Sequence, residues 1–209
     1  MITSAEHKAR LMELGKNLGV EHLANYVVNY KGFDLWAGAC NKDKHHCRKG
    51  GLIEHTREVV DLCIQTNRYF IGTPKYMDEQ KLYLAALFHD VGKLWDYRPV
   101  EGTDYAEWEA APHKRNIHHI SRSALVWWEA CDDYRVSQQK FVNEEYMDEV
   151  LHAILSHHGL REWGSPVSPN TGIAWLLHLC DGISARMDDF NRQKGVPPFL
   201  KTSSPYTQA

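Results

Sequence analysis

Apolar residues recur at Leu52, Val59, Leu62, Cys63 and Tyr69, a helical periodicity that predicts a helix from Leu52 to about Tyr69. Residues 6–30 read as one or two helices, with Gly15 and Gly19 as a break. Residues 32–51 hold four glycines and many polar side chains and read as loop. "GTPKYMDEQ" (72–80) connects to the next helix, with Asp78 as its cap. That helix is rich in Leu, Ala, Tyr and Phe and runs into "HDVGK". Residues 96–117, with two prolines and "EGTD", read as irregular. Further helices are expected at 118–132, at 144–157 and from about Thr171 to Phe190, the last two separated by the loop "GLREWGSPVSPNTG". The tail, 191–209, has three prolines and no periodicity and is expected to wrap the surface or move. Strand-like alternation is scarce, and neither a repeat nor a domain linker is evident. The pattern predicts an all-α fold, a single helical bundle with long connecting loops over 1–209: N-terminal helices in 1–44, a core at about 45–190, and the tail.

Composition changes this picture little. The 209 residues are 43% apolar and 24% charged, ordinary for a globular chain able to bury one core. No apolar run approaches the roughly 20 residues that cross a bilayer. "MITSAEHKARLMELG" lacks the apolar centre of a secretory signal. The expectation is a cytoplasmic protein with no membrane partner; oligomeric state is not legible. A net charge of −3 argues against non-specific coating of nucleic acid, yet Lys42, Lys44, Arg48 and Lys49 cluster locally. Five cysteines without a CxxC pair predict reduced thiols, with Cys63, Cys131 and Cys180 in the core.

The chemistry concentrates in "LYLAALFHDVGKLWDY" (82–97), where an apolar helix meets His89 and Asp90. Burying that pair costs several kcal/mol without a compensating partner, and imidazole and carboxylate together suit a divalent metal. Gly92 is expected to turn the chain sharply, and Lys93 falls three residues beyond Asp90, on the same face of a continuing helix. His55 opens one helix, His118 and His119 begin another, and His157 and His158 end a third. Asp181 lies on the apolar face of "IAWLLHLCDGISARM" with Ala174, Leu177 and Ala185. Ligands converging from separate helices make a metal cage. The remaining histidines have plainer readings: His152 and His178 as hydrogen-bonded core, and His7, His22 and His113 as surface. Trp127 and Trp128 fit a packed helix at least as well as a stacking platform. Trp163 sits on a loop beside the histidine pair, where it either stacks on a base or packs the loop.

The stretches "HHCRKGGLIEHT", "LAALFHDVGKL", "HHI" and "ILSHHGLREWGSPVSPNTGIAWLLHLCDGISARM" resemble the HD-domain superfamily of metal-dependent phosphohydrolases, with the nearest likeness to the HD domain of YhaM-type 3′→5′ exoribonucleases. The resemblance covers about 45–190 and is weak between 98 and 117. It implies that His55, His89, Asp90 and Asp181 hold one metal. The family's sites hold one metal or two, and in the two-metal form the resemblance implies that Asp90 bridges to a second held by His119 and His157, with His158 as a further candidate ligand. "KRNIHHIS" departs from the family's usual glycine, which leaves His118 and His119 as alternatives, His119 being the one before isoleucine. Mixed nitrogen and oxygen ligation suits Mn²⁺, Fe²⁺, Ni²⁺ or Co²⁺, with Mg²⁺ a further option. The implied catalytic residues are Asp90 and Lys93, the latter stabilising charge on phosphate.

In "HHCRKGGLIEHT" His55 is then the ligand. His45, His46, Arg48 and Lys49 become candidate substrate contacts beside Lys93 and Trp163, His46 being the best placed by the resemblance, and Cys47 loses any metal role. The expected partner is a nucleotide or single-stranded nucleic acid. YhaM-type enzymes also carry an N-terminal OB-fold module, whereas about 44 helical residues precede the match here. Two activities therefore stand side by side: a nuclease acting 3′→5′, and hydrolysis of a dNTP, a nucleoside monophosphate or a cyclic nucleotide. A non-catalytic metal-binding module is the reading from a different class.

Overall fold

The computed structural model describes residues 2–140 and 142–192. Thr3 starts helix α1 (Ser4–Asn17) with a reciprocal capping box: its side chain accepts from the Glu6 amide while the Glu6 carboxylate accepts from the Thr3 amide. Gly19, at φ 73°, turns the chain into α2 (Glu21–Val28), whereas Gly15 lies inside α1. A long loop follows to α3 (Gly51–Tyr69), entered through left-handed Gly50. Asp78 caps α4 (Glu79–Phe88), accepting from the amides of Gln80 and Lys81.

Helix α4 is the axis of the molecule. Every residue from Leu82 to Phe88 is fully buried. An all-round apolar helix is stable only when enclosed, and α4 packs against α2 and α3 and against three later helices: α7 (His119–Gln138), α8 (Glu144–Ser156) and α9 (Gly172–Arg192). Each buried Leu or Phe contributes about 1.5–3 kcal/mol; Phe88 meets Trp127 edge-to-face at 5.1 Å. At its C-terminal end α4 delivers His89 and Asp90 to the centre of this packing. Cys63, Cys131 and Cys180 are buried in the same core, and none of the five cysteines is in a disulfide. Among the described residues no helix is long and apolar enough to cross a membrane.

The region read as irregular contains short elements. Helix α5 (Lys93–Asp96) leads into strand β1 (Tyr97–Pro99), which pairs antiparallel with β2 (Trp108–Ala110), Tyr97 opposite Ala110. Three-residue strands are too short to show alternation in sequence. The ribbon is held by packing: Tyr97, Trp108 and Ala37 form a satellite core with Trp36, Cys40 and Cys47. A single-turn helix α6 (His113–Asn116) then precedes α7, which runs six residues beyond its expected end at 132. The fold is all-α apart from this ribbon. Beyond Arg192 the tail lies outside the described residues.

Of two histidines expected at the surface, His7 is buried and His113 is half-buried. His7 is 4% exposed, and its Nδ1 accepts from the Arg57 guanidinium at 3.2 Å. His113 bonds Asp96 at 2.8 Å. In both cases the polar neighbours in sequence conceal a partner from another segment, half-buried Arg57 for His7 and buried Asp96 for His113. His22 is partly exposed and pairs with Asp133 at 2.8 Å.

Candidate metal centre

Asp90 occupies the meeting point of five helices, and its two carboxylate oxygens face different histidines. On one side Oδ2 lies 3.3 Å from Nε2 of His55 (α3) and 3.3 Å from Nε2 of His89. Asp181 of α9 closes this group, its Oδ1 3.1 Å from His55 and 4.0 Å from His89. On the other side Oδ1 lies 3.4 Å from Nε2 of His119 (α7) and 3.6 Å from Nε2 of His157, just past α8. The donor atoms of His55, His89 and Asp181 fall within 4.8 Å of one another, and so do those of His119, His157 and His158.

Four of these imidazoles have their tautomer set from behind. Nδ1 of His89 and of His157 donates to the carbonyl three residues back, Ala86 and Ile154, each at 2.7 Å. Nδ1 of His119 donates to the Asp96 carboxylate at 3.0 Å. Nδ1 of His55 meets Ser184 Oγ at 2.9 Å, and since that hydroxyl gives its hydrogen to Glu58, His55 donates. Every Nε2 therefore points its donor atom inward. Outer-shell bonds of this kind orient imidazole ligands and raise their basicity.

The test of fit is a set of orphaned atoms. Asp90 Oδ1, His119 Nε2 and His157 Nε2 are buried with no hydrogen-bond partner among the described residues, all three on the same side of the bridge. Leaving three such atoms together is costly, each about 1–3 kcal/mol, unless they serve a common acceptor of their lone pairs. Two imidazole nitrogens and a carboxylate oxygen suit a divalent cation. The donor set therefore fits one ion at His55, His89, Asp90 and Asp181 and a second at Asp90, His119 and His157, with His158 beside it.

Electrostatics agree. Burial disfavours a charged His55, yet hydrogen bonds with Asp181 and Asp90 outweigh it and raise the imidazole to about 9. Asp90 and Asp181 are held far below the usual carboxylate range: burial opposes this, and Lys93 and His89 outweigh it for Asp90, as His55 does for Asp181. The first group thus favours positive charge at its centre. The second is different. Burial takes His119 down to about 4 against the pull of Asp96, and burial with His157 and His119 takes His158 to about 2. Neutral imidazoles are the ligating form.

Gly92 does not turn the chain sharply, since its backbone is ordinary right-handed (φ −62°). Its role is proximity: a Cβ there would sit 2.1 Å from the carbonyl oxygen of His119. Lys93, on the next turn, places Nζ 2.6 Å from Asp90 Oδ2 and is buried. Burial opposes its charge, but Asp90 holds it above the ordinary lysine range.

The loop before α3 divides its residues. His46 is fully buried and turned back: Nε2 meets Glu58 at 3.1 Å and its amide donates to Asp188 at 2.7 Å. Both rings of the pair lie against His55, His46 with centroids 5.0 Å apart and His45 5.2 Å, and burial with the nearby Lys93 pushes His45 down to about 2. Arg48 is bound to Glu54 and Asp188, and Lys49 lies 3.6 Å from Asp104 and over the Tyr105 ring. Arg48 and Lys49 line a groove of about 910 Å³ that none of the candidate ligands reaches; Ser184 and Glu58 form its floor toward His55 and His46. Trp163 lines a separate pocket with His118 and His158. Sequence reasoning missed Asp96, Glu58 and Ser184. Asp96 carried a signal, an aspartate three residues after Lys93 in the apolar stretch "KLWDY"; the others needed three-dimensional proximity.

A family model described as the HD domain matches residues 52–186, and the chain belongs to that family. HD domains bind divalent metals and are generally metal-dependent phosphohydrolases. No solved structure matches the chain.

Proposed function

We propose that this chain hydrolyses phosphoester bonds of nucleotides or nucleic acid at a two-ion centre bridged by Asp90. The observation that carries the reading is the orphaned trio of Asp90 Oδ1, His119 Nε2 and His157 Nε2, next to a first group that shares the same carboxylate. When bound, a pair of divalent ions supplies Lewis-acid polarisation of the phosphoryl oxygens and a water of lowered pKa. The chain's residues do the rest. Asp90 fixes the two halves relative to each other, and Asp96, Glu58 and Ser184 hold the imidazoles in register. Lys93 neutralises Asp90, and its ammonium, held 2.6 Å from that carboxylate, would stabilise negative charge developing on a phosphoryl group at the centre. His45 flanks the first group on the loop side.

The 3′→5′ exonuclease form of this reading draws on the YhaM-type resemblance. A specific observation favours the free-nucleotide form: three of the four loop cations have an acidic partner, Lys42 with Glu107 at 2.8 Å, Arg48 with Glu54 and Asp188, and Lys49 with Asp104, which leaves Lys44 as the one loop cation without an ion pair among the described residues. Polymer binding rests on unpaired cations that displace counterions from phosphates. A panel of oligonucleotides, dNTPs, nucleoside monophosphates and cyclic nucleotides, each with Mn²⁺, Co²⁺, Ni²⁺, Fe²⁺ and Mg²⁺, tests both forms. Metal-dependent release of phosphate or nucleotide from any of them supports the proposal. Inertness across the panel, in protein shown to bind metal, favours a binding module instead.

A further inference from the structure

We propose that the pocket beside the second histidine group binds the nucleoside part of the substrate, with the base stacked on Trp163. The inference rests on the phosphoester reading above and names the substrate class for it. The pocket, about 470 Å³, is walled by His118, His158, Arg161, Trp163 and Ser165. That volume lies in the ordinary range for small-molecule sites, about 300–1,000 Å³. His158 belongs both to its wall and to the group of His119 and His157, so a ligand here reaches the candidate metal centre with its phosphate.

Trp163 is the reason for assigning a base. It keeps 57% of its surface exposed, yet it is held in place. One side is backed by the His178 ring at 5.6 Å and 32°. Its edge lies over Gly159, where a Cβ would come within 2.4 Å of the indole. His178 in turn donates Nδ1–H to the carbonyl of His157 at 2.9 Å. The stacking surface is thereby tied to a candidate ligand through one side chain. An aromatic platform that is fixed before the ligand arrives loses little entropy on binding, and planar bases stack on it irrespective of sequence.

The polar groups match. Arg161 is exposed on the pocket wall and makes no ion pair among the described residues, leaving its guanidinium for phosphate or a base edge. Ser165, on the same wall, is 6% exposed, and its Oγ is buried without a hydrogen-bond partner among the described residues. Neither aspartate nor glutamate lines the pocket, so an anionic ligand meets no like charge there. A nucleotide offers a flat ring, hydroxyls and a phosphate in that order, which is what this wall accommodates.

The test is equilibrium binding to the full chain, by tryptophan fluorescence and calorimetry, of AMP, ribose 5-phosphate and inorganic phosphate, with and without Mn²⁺. AMP is expected to quench the fluorescence and to bind at least roughly tenfold tighter than ribose 5-phosphate. Trp163→Leu should cut AMP affinity roughly ten- to a hundredfold and leave ribose 5-phosphate unchanged. Trp163→Phe, which retains an aromatic face, should keep most of the affinity, and Arg161→Ala should weaken both ligands. A short single strand that competes with AMP through Trp163, with steep salt dependence, identifies the ligand as a strand end; competition by mononucleotides alone identifies a free nucleotide. The proposal is overturned if AMP binds no tighter than ribose 5-phosphate, or if Trp163→Leu leaves AMP affinity intact. Hydrolysis of a base-free phosphodiester in that same preparation would show the phosphoester reading standing while the pocket assignment falls.

Discussion

Asp96 accepts two hydrogen bonds from one residue: the His119 amide at 3.1 Å and His119 Nδ1 at 3.0 Å. Its other oxygen takes Nδ1 of His113 at 2.8 Å. A fully buried carboxylate is thus committed to aiming one imidazole at Asp90. Asp96→Asn keeps the volume but weakens the hold on the His119 tautomer. It should lower affinity for the second ion by roughly 10–100-fold while the first is retained. Competition with a metal-sensitive dye resolves the two classes; equal weakening of both would show that Asp96 acts on the fold rather than on His119.

Asp90→Ala removes the carboxylate shared by both groups and leaves Lys93 buried without its counter-charge. Turnover should fall to background, beyond the roughly 10²–10³-fold typical of losing a single stabilising group. Circular dichroism and metal content of the purified variant accompany the assay. A folded variant that still turns over at more than about a tenth of the wild-type rate would remove Asp90 from the centre.

Gly92→Ala tests proximity. The added methyl would meet the His119 carbonyl at 2.1 Å, and backbone on both sides gives little. Overpacking of this kind costs about 1–3 kcal/mol. A lower chemical-denaturation midpoint should be accompanied by weaker binding of the second ion. Stability unchanged within about 0.5 kcal/mol would mean that α5 and α7 slide apart freely.

Asp188 pins the His45–His46 loop to α9 through the His46 amide and Arg48. Burial raises its pKa, but the bond from the His46 amide outweighs this and brings it down to about 2. A depressed carboxylate contributes stability above its unfolded value, near 3.8, and loses it as pH falls through the folded value. Asp188→Asn should therefore cost on the order of 2 kcal/mol near neutral pH. The gap from wild type should close between about pH 4 and pH 2. Urea unfolding across that range is the measurement; a gap independent of pH would assign Asp188 a packing role.

The helices were legible because their apolar faces repeat, and α4 was legible because an unbroken apolar run ending in His89-Asp90 has few structural solutions. The convergence of His55, Asp181, His119 and His157 on Asp90 was legible only as a resemblance, since spacing along the chain says nothing about which helix ends meet. What escaped reading depended on partners far away in sequence. His113 looks solvent-facing among His, Lys and Arg until Asp96 is placed against it. His45 and His46 are indistinguishable in sequence: both rings pack against His55, and only the folded chain, with left-handed backbone at His46 (φ 54°), shows that His46 is the one bonded to Glu58. The Tyr97–Ala110 ribbon escaped because its strands are three residues long and owe their stability to Trp36 and Ala37.

The central claim, two ion sites sharing Asp90, is tested most directly by counting metal. Wild-type chain and His157→Ala are stripped, loaded with Mn²⁺, desalted and assayed for metal per chain, with electron paramagnetic resonance reporting coupling between ions. Wild type is expected to retain about two equivalents as a coupled pair and His157→Ala about one, uncoupled. Wild type that saturates at one equivalent or none, or a His157→Ala variant that keeps the coupled pair, would contradict the account.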